Sequence, residues 1–162
     1  MSGARLHSIW IAPEPRAAMQ AVETARAIPG VGLEGDRYAH GVGTFSSRRG
    51  RNVRELSLIA HENVQHLANA TDTELQPGAA RRNLVTEEIE LLPLANARLR
   101  IGEVEIECTS TCPPCGHLNR LLGVDTRMHL RKRGGLRARI VVGGILAAGM
   151  AIEVLHVPPP LP

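Results

Sequence analysis

The apolar positions of this chain recur mostly at every second residue, the spacing of half-buried strands. Leu6, Ile9, Trp10 and Ile11 mark a first strand within Ala4 to Ala12, stopped by Pro13 and Pro15. Leu99-Arg-Ile-Gly-Glu-Val-Glu-Ile-Glu107 alternates on both sides of Gly102 and predicts two short strands. Leu136, Ala138, Ile140 and Val142 alternate within Gly134 to Gly144 and predict another, closed by glycines. Shorter runs at Glu55 to Ile59, Glu87 to Pro93 and Met150 to Val157 are also expected to be extended. Ala17 to Ile28 shows no clear 3.6-residue period and is assigned to extended structure as well. One stretch, His61 to Ala70, carries helical spacing, with Val64, Leu67 and Ala68 as its apolar face. The sum is about eight short strands with two or so helices, a mainly β (α+β) pattern that suits a β-barrel with appended helices.

Composition supports a packed core but changes its character. Hydrophobic residues make up 43% of the 162 positions and aromatic residues only 2%, so the core is almost wholly aliphatic. No internal repeat and no long linker divides the chain, which predicts a single domain over residues 1–157 and a proline-rich tail over 158–162. Of the 19 basic residues only Lys132 is lysine, and arginine is the better fork for phosphate and carboxylate. The net charge of +3 is too small to point to nucleic acid. Three cysteines do not make a disulfide framework, and there is no secretory run or membrane-length apolar window. A reduced cytoplasmic setting without a membrane partner is expected.

The chemistry concentrates in Glu107 to Gly123, which holds Cys108, Cys112 and Cys115. Pro113 and Pro114 stand before Leu118, Leu121 and Leu122, whose spacing predicts a helix face. Cys115 is therefore expected near a helix N-terminus, where exposed N–H groups and the helix dipole favour a thiolate. Cys108, at the end of a strand, reads as a small buried hydrophobe. Cys112 is either a bystander or a resolving thiol, and His117 either tunes the thiolate or is solvated. Three further stretches stand out. Ile28 to Tyr38 is a glycine-rich loop that delivers Asp36 and Arg37 side by side, without the ending of a phosphate-binding P-loop. Ala39 to Arg54 is a long polar loop with four arginines, either an anion-facing lid or a solvated charge run. Arg81, Arg82 and Asn83 begin a strand, where they either hold a phosphate or guard an exposed sheet edge. His61 and His66, five residues apart, lack helical metal-site spacing and read as ordinary boundary residues.

Four pieces then fall in a familiar order: Ile28-Pro-Gly-Val-Gly-Leu-Glu-Gly-Asp-Arg37, Ala80-Arg-Arg-Asn-Leu-Val85, Pro114-Cys115 before a helix, and Gly134-Gly-Leu-Arg-Ala-Arg-Ile140. Together they resemble the MOSC domain, named for the C-terminal domain of molybdenum-cofactor sulfurase. The resemblance runs from about Ala4 to Val157. It implies a MOSC-type β-barrel and one thiolate that carries sulfur or ligates molybdenum in a pyranopterin cofactor. By position that cysteine is Cys115. In related enzymes that reduce N-hydroxylated compounds, such as the mitochondrial amidoxime-reducing component, basic residues hold the cofactor phosphate. The matching positions here are Arg37, Arg82 and Asn83.

The resemblance leaves two main readings. In the first, the protein is a molybdenum-cofactor oxidoreductase acting on a small N-hydroxylated substrate, with electrons from a separate reductase. In the second, Cys115 is a persulfide-carrying thiol that receives sulfur from a donor protein, with Cys112 as resolving thiol. The cysteine-desulfurase domain of the full sulfurase is missing from this sequence, so pyridoxal phosphate is not expected. A thioredoxin-like role for Cys-Pro-Pro-Cys, a zinc site from Cys108, Cys112, Cys115 and His117, and a binding module with a structural Cys115 are weaker alternatives.

Overall fold

The alternating stretches become the strands of one large sheet. A computed structural model of the chain describes residues 3–39, 55–112, 119–120 and 129–159. The strands are β1 (Arg5–Ile11), β2 (Gln20–Val22), β3 (Thr24–Ile28), β4 (Gly32–Leu33), β5 (Leu56–Ala60), β6 (Leu84–Glu87), β7 (Arg98–Ile101), β8 (Val104–Thr111), β9 (Leu136–Val142), β10 (Gly144–Ala147) and β11 (Ile152–His156). The helix α1 spans His61–Ala70, and short 3-10 turns cover Pro77–Ala80 and Leu92–Leu94.

Eight strands pair in the order β11-β7-β8-β9-β5-β6-β1-β2, and β10-β3-β4 form a smaller sheet. All pairings are antiparallel except β5 with β6. That parallel pair needs a crossover, which α1 and the 3-10 turn after it provide. The strand order is open, with β2 and β11 at its ends. A single antiparallel bridge, Arg5 with Ala151, links β1 to the residue before β11, and Leu6 N–H donates to Met150 O at 2.8 Å beside it. Mainly β, with α1 as the one complete α-helix among the described residues, is the architecture seen.

One face of the large sheet carries the core. Leu6, Leu58, Leu84, Leu99, Ile101 and Ile106 are fully buried within one aliphatic cluster. Trp10, Ile59, Val64, Ala80 and Val85 form a second cluster under α1. Val64 and Leu67 bury the predicted helix face.

The structure corrects several expectations. Glu87 to Pro93 is not a strand: β6 ends at Glu87, Glu88 takes a left-handed φ of 60°, and Leu92–Leu94 turns tightly around Pro93. Cys108 does not end its strand, since β8 runs on to Thr111. The strand opened by Arg81 to Asn83 is not an edge, because β6 lies between β5 and β1. The glycines after Val142 do not end extended structure: β10 follows at once and pairs with β3. The Ala39 to Arg54 lid lies outside the described residues from position 40 on, as do Cys115 and His117. Among the described residues no helix is long and apolar enough to cross a membrane.

Candidate functional site

The C-terminal end of β1 gathers the stretches that the sequence singled out. Arg37 N–H donates to Ala12 O at 2.7 Å, and Ala12 N–H donates back to Asp36 Oδ1 at 3.0 Å. Two residues earlier, Asn83 Nδ2 donates to Trp10 O at 3.0 Å and Trp10 N–H donates to Asn83 O at 2.7 Å. The glycine-rich loop and the start of β6 are thus held on the same strand end.

Asp36 and Arg37 form a buried ion pair. Asp36 is fully buried and Arg37 is 5% exposed, with Nη1 of Arg37 at 3.1 Å from Asp36 Oδ1. The Arg37 guanidinium also lies over the Tyr38 ring, 4.5 Å from its centre. Arg81 comes close enough for Arg37 to act on it. Burial first, and then the Arg37 charge, push the Arg81 pKa below the usual guanidinium value. Arg81 itself sits at a left-handed φ of 63° and donates to Ala17 O at 2.6 Å. Two guanidiniums and one paired carboxylate leave this corner with an excess of positive charge.

Asn83 is fully buried and its side chain is spent on the backbone. Besides the bond to Trp10, its Oδ1 accepts from Ser57 N–H at 3.2 Å. Arg82 points the other way. Its Nε donates to Gly134 O at 3.0 Å, one Nη to Ala80 O at 3.3 Å and the other to Cys112 O at 3.3 Å. Cys112 N–H donates in turn to Gly135 O at 2.8 Å. The start of β6, the cysteine segment and the Gly134–Gly135 turn are therefore tied into one knot around Arg82, three residues from Cys115.

Glu55 was not singled out from the sequence. It is 5% exposed, and its Oε1 accepts from Gly30 N–H at 3.0 Å and Ile140 N–H at 3.1 Å. This carboxylate clamps the glycine-rich loop to β9. Both partners are main-chain groups far away in sequence, so no local motif announces it.

Of the cysteines, Cys108 is 1% exposed and shares the inward face of β8 with Val104 and Ile106. Burial, then the neighbouring Glu107 carboxylate, pushes its thiol up to about 12, so it stays protonated and inert. Cys112 is also buried, at 5%. A cavity of about 160 Å³ touches Cys112, Thr111, Gly134 and Gly135. Among the described residues no three His, Cys, Asp or Glu side chains could together hold a metal ion. His61, read as an ordinary boundary residue, stacks on His7 with ring centres 4.1 Å apart.

The sequence profile of the MOSC domain matches residues 46–153. The chain belongs to the MOSC family. Solved structures of similar fold include the YuaD protein of Bacillus subtilis, at 16% identity and a TM-score of 0.77, covering 94% of this chain and 96% of that one. The YiiM protein of Geobacillus stearothermophilus matches at 11% identity and a TM-score of 0.72, covering 94% and 75%. The YiiM protein of Escherichia coli matches at 18% and 0.65, covering 95% and 69%. No curated protein matches the sequence. The four pieces of the MOSC resemblance include the loop on Ala12, the Arg82–Asn83 pair, and the Gly134 turn that abuts Cys112.

Proposed function

We propose that this protein binds the molybdenum cofactor through the Cys115 thiolate and reduces small N-hydroxylated compounds with electrons from a separate reductase. Its family ground is that MOSC proteins are associated with molybdenum-cofactor binding and sulfurase-related functions. The observation that carries it is the convergence just described. Arg37, Arg81 and Arg82 are brought to one end of the sheet, and Arg82 grips the chain three residues before Cys115.

The residues present fit such a group. The Arg37–Arg81 corner has more positive charge than Asp36 offsets, and a phosphate would relieve it. In this reading Arg37 and Arg81 hold the pterin phosphate. Arg82 fixes the cysteine segment and Asn83 fixes the strand ends, so these two act by positioning. When bound, the cofactor supplies two-electron oxygen-atom chemistry. The overall change is R–NH–OH + 2 H⁺ + 2 e⁻ → R–NH₂ + H₂O, and the electrons come from the reductase. The Arg5–Ala151 bridge is read as the seam at which the sheet curls into a MOSC-type barrel. One domain spans residues 1–157 in this reading, in the cytoplasm.

The sulfur-carrier alternative asks Cys112 to resolve a persulfide as a disulfide with Cys115, yet Cys112 is only 5% exposed. A direct test expresses the protein in a host that makes the cofactor and supplies benzamidoxime with chemically reduced viologen dye. Benzamidine should appear with wild type and not with Cys115→Ala. No benzamidine from wild-type protein that carries molybdenum would defeat the oxidoreductase reading.

A further inference from the structure

A groove runs from the cysteine segment to the surface between α1, the Glu88–Pro93 segment and the turn at His129–Arg133. Its volume is about 920 Å³. It shares Asn63, Leu91, Leu92, Lys132 and Arg133 with the 160 Å³ chamber that touches Cys112, so the two form one path. Two features of this path bear on what it could take. Leu92 is 46% exposed on the groove, beside Pro93, and so offers an apolar floor to solvent. Arg131, Lys132 and Arg133 follow one another on the lip, all exposed.

The charge pattern there differs from the rest of the sheet. Arg5, Arg26, Arg98, Arg100 and Arg139 each face a glutamate within 4.0 Å. Among the described residues, Arg131, Lys132 and Arg133 are in no such pair. Of the groove's acids, Glu62 accepts from Glu88 N–H at 2.9 Å, and Glu88 accepts from Gly3 N–H at 3.1 Å and faces Arg5. Among the described residues, none of the groove's acids, Glu62, Glu88 and Glu90, lies within 4.0 Å of Arg131, Lys132 or Arg133. An apolar floor with unpaired cations at its outer end fits a ligand with a flat apolar body and one anionic group.

We propose that this groove is the substrate site and that it selects N-hydroxylated substrates bearing a carboxylate or phosphate. The inference rests on the function proposed above. The apolar body lies on Leu91 and Leu92, the anionic group faces Arg131 to Arg133, and the N–O end enters the chamber at Cys112. A reductase bearing acidic groups is the competing partner for the same cations, and the test separates the two.

The binding arm needs no metal. Phenyl phosphate, benzoate and benzyl alcohol share a body and differ in the head, and each is titrated into the full chain by calorimetry. One or both anions should bind about tenfold more tightly than benzyl alcohol, with the gap shrinking in high salt. The order of the two anions tells phosphate from carboxylate. To keep the Arg37–Arg81 corner out of the readout, the titrations are made in Arg81→Ala protein; there Arg131→Glu/Arg133→Glu, which leaves the left-handed Lys132 in place, should remove the gap, and Arg26→Ala should not. In the loaded enzyme, the ratio of KM for benzamidoxime to KM for 4-carboxybenzamidoxime should be well above one and fall to about one in the double variant. Equal binding of all three probes overturns the proposal, and so does a gap that survives in Arg131→Glu/Arg133→Glu or is lost in Arg26→Ala. It is also overturned if the double variant slows both substrates alike, only at low reductase concentration, because the cations then serve the reductase. Protein without molybdenum that still prefers the anions would sink the reading of the reaction and leave the groove standing.

Discussion

The Arg82 guanidinium donates to the main-chain oxygen of Cys112 at 3.3 Å and so joins the start of β6 to the cysteine segment. Its fork also reaches Gly134 and Ala80, a geometry that a lysine ammonium cannot reproduce. Arg82→Ala leaves half-buried carbonyls without these donors and should lower unfolding stability by about 1–3 kcal/mol. Arg82→Lys should recover part of that stability but not the alignment of the segment. Urea unfolding gives the first quantity. Molybdenum content per folded protein gives the second, and it should fall in both variants.

Gly135, in the turn before β9, has no room for a side chain. Gly135 has a φ of +92°, and a Cβ there would lie 1.8 Å from Leu58 O in β5. Gly135→Ala should therefore cost about 3 kcal/mol or more, from strain and overpacking together. Gly30 is the control, with a φ of +77° and nothing within 4 Å of a Cβ. Gly30→Ala should cost only about 1–2 kcal/mol, from backbone strain alone. Thermal melts of the two variants side by side check the ordering, and equal losses would refute the tight approach.

The stacked His7–His61 pair makes stability depend on pH. His61 is pushed below its usual pKa, first by burial and then by His7. A histidine with a depressed folded-state pKa binds fewer protons than the unfolded chain does. Its contribution is complete above about pH 6.5 and is lost as pH falls from there towards the folded-state pKa. Melting temperature should drop between about pH 7 and about pH 5, and His7→Gln should flatten that slope. An unchanged slope in His7→Gln would show that the pair is not the cause.

Much of the fold is legible because strands with one buried face write their period into the sequence. Leu99, Ile101, Val104 and Ile106 all turn inward, as their alternation predicts. Val64 and Leu67 do the same for α1. The failures have local causes. Gly143 and Gly144 look like an ending, and only the distant pairing with β3 makes β10 a strand. Glu87 to Pro93 has strand-like content, but Glu88 and Pro93 turn the chain instead.

The site was legible as residue types in order, not as contacts. Asn83 was picked out by its place after two arginines. That its amide is spent on Trp10 and Ser57, 73 and 26 residues away, depends on pairings no local pattern carries. Glu55 was invisible for the same reason, since its partners Gly30 and Ile140 offer only main-chain N–H groups. Cys108 was readable, because it continues the inward series of β8.

The most direct measurement is the metal and pterin content of wild type and Cys115→Ala, both expressed in a host that makes the molybdenum cofactor. Molybdenum is read by mass spectrometry and pterin by fluorescence of the released, oxidised cofactor. Cys115 as the ligand predicts near-stoichiometric metal and pterin in wild type, with metal lost in the variant. Folded wild-type protein carrying neither metal nor pterin would contradict it.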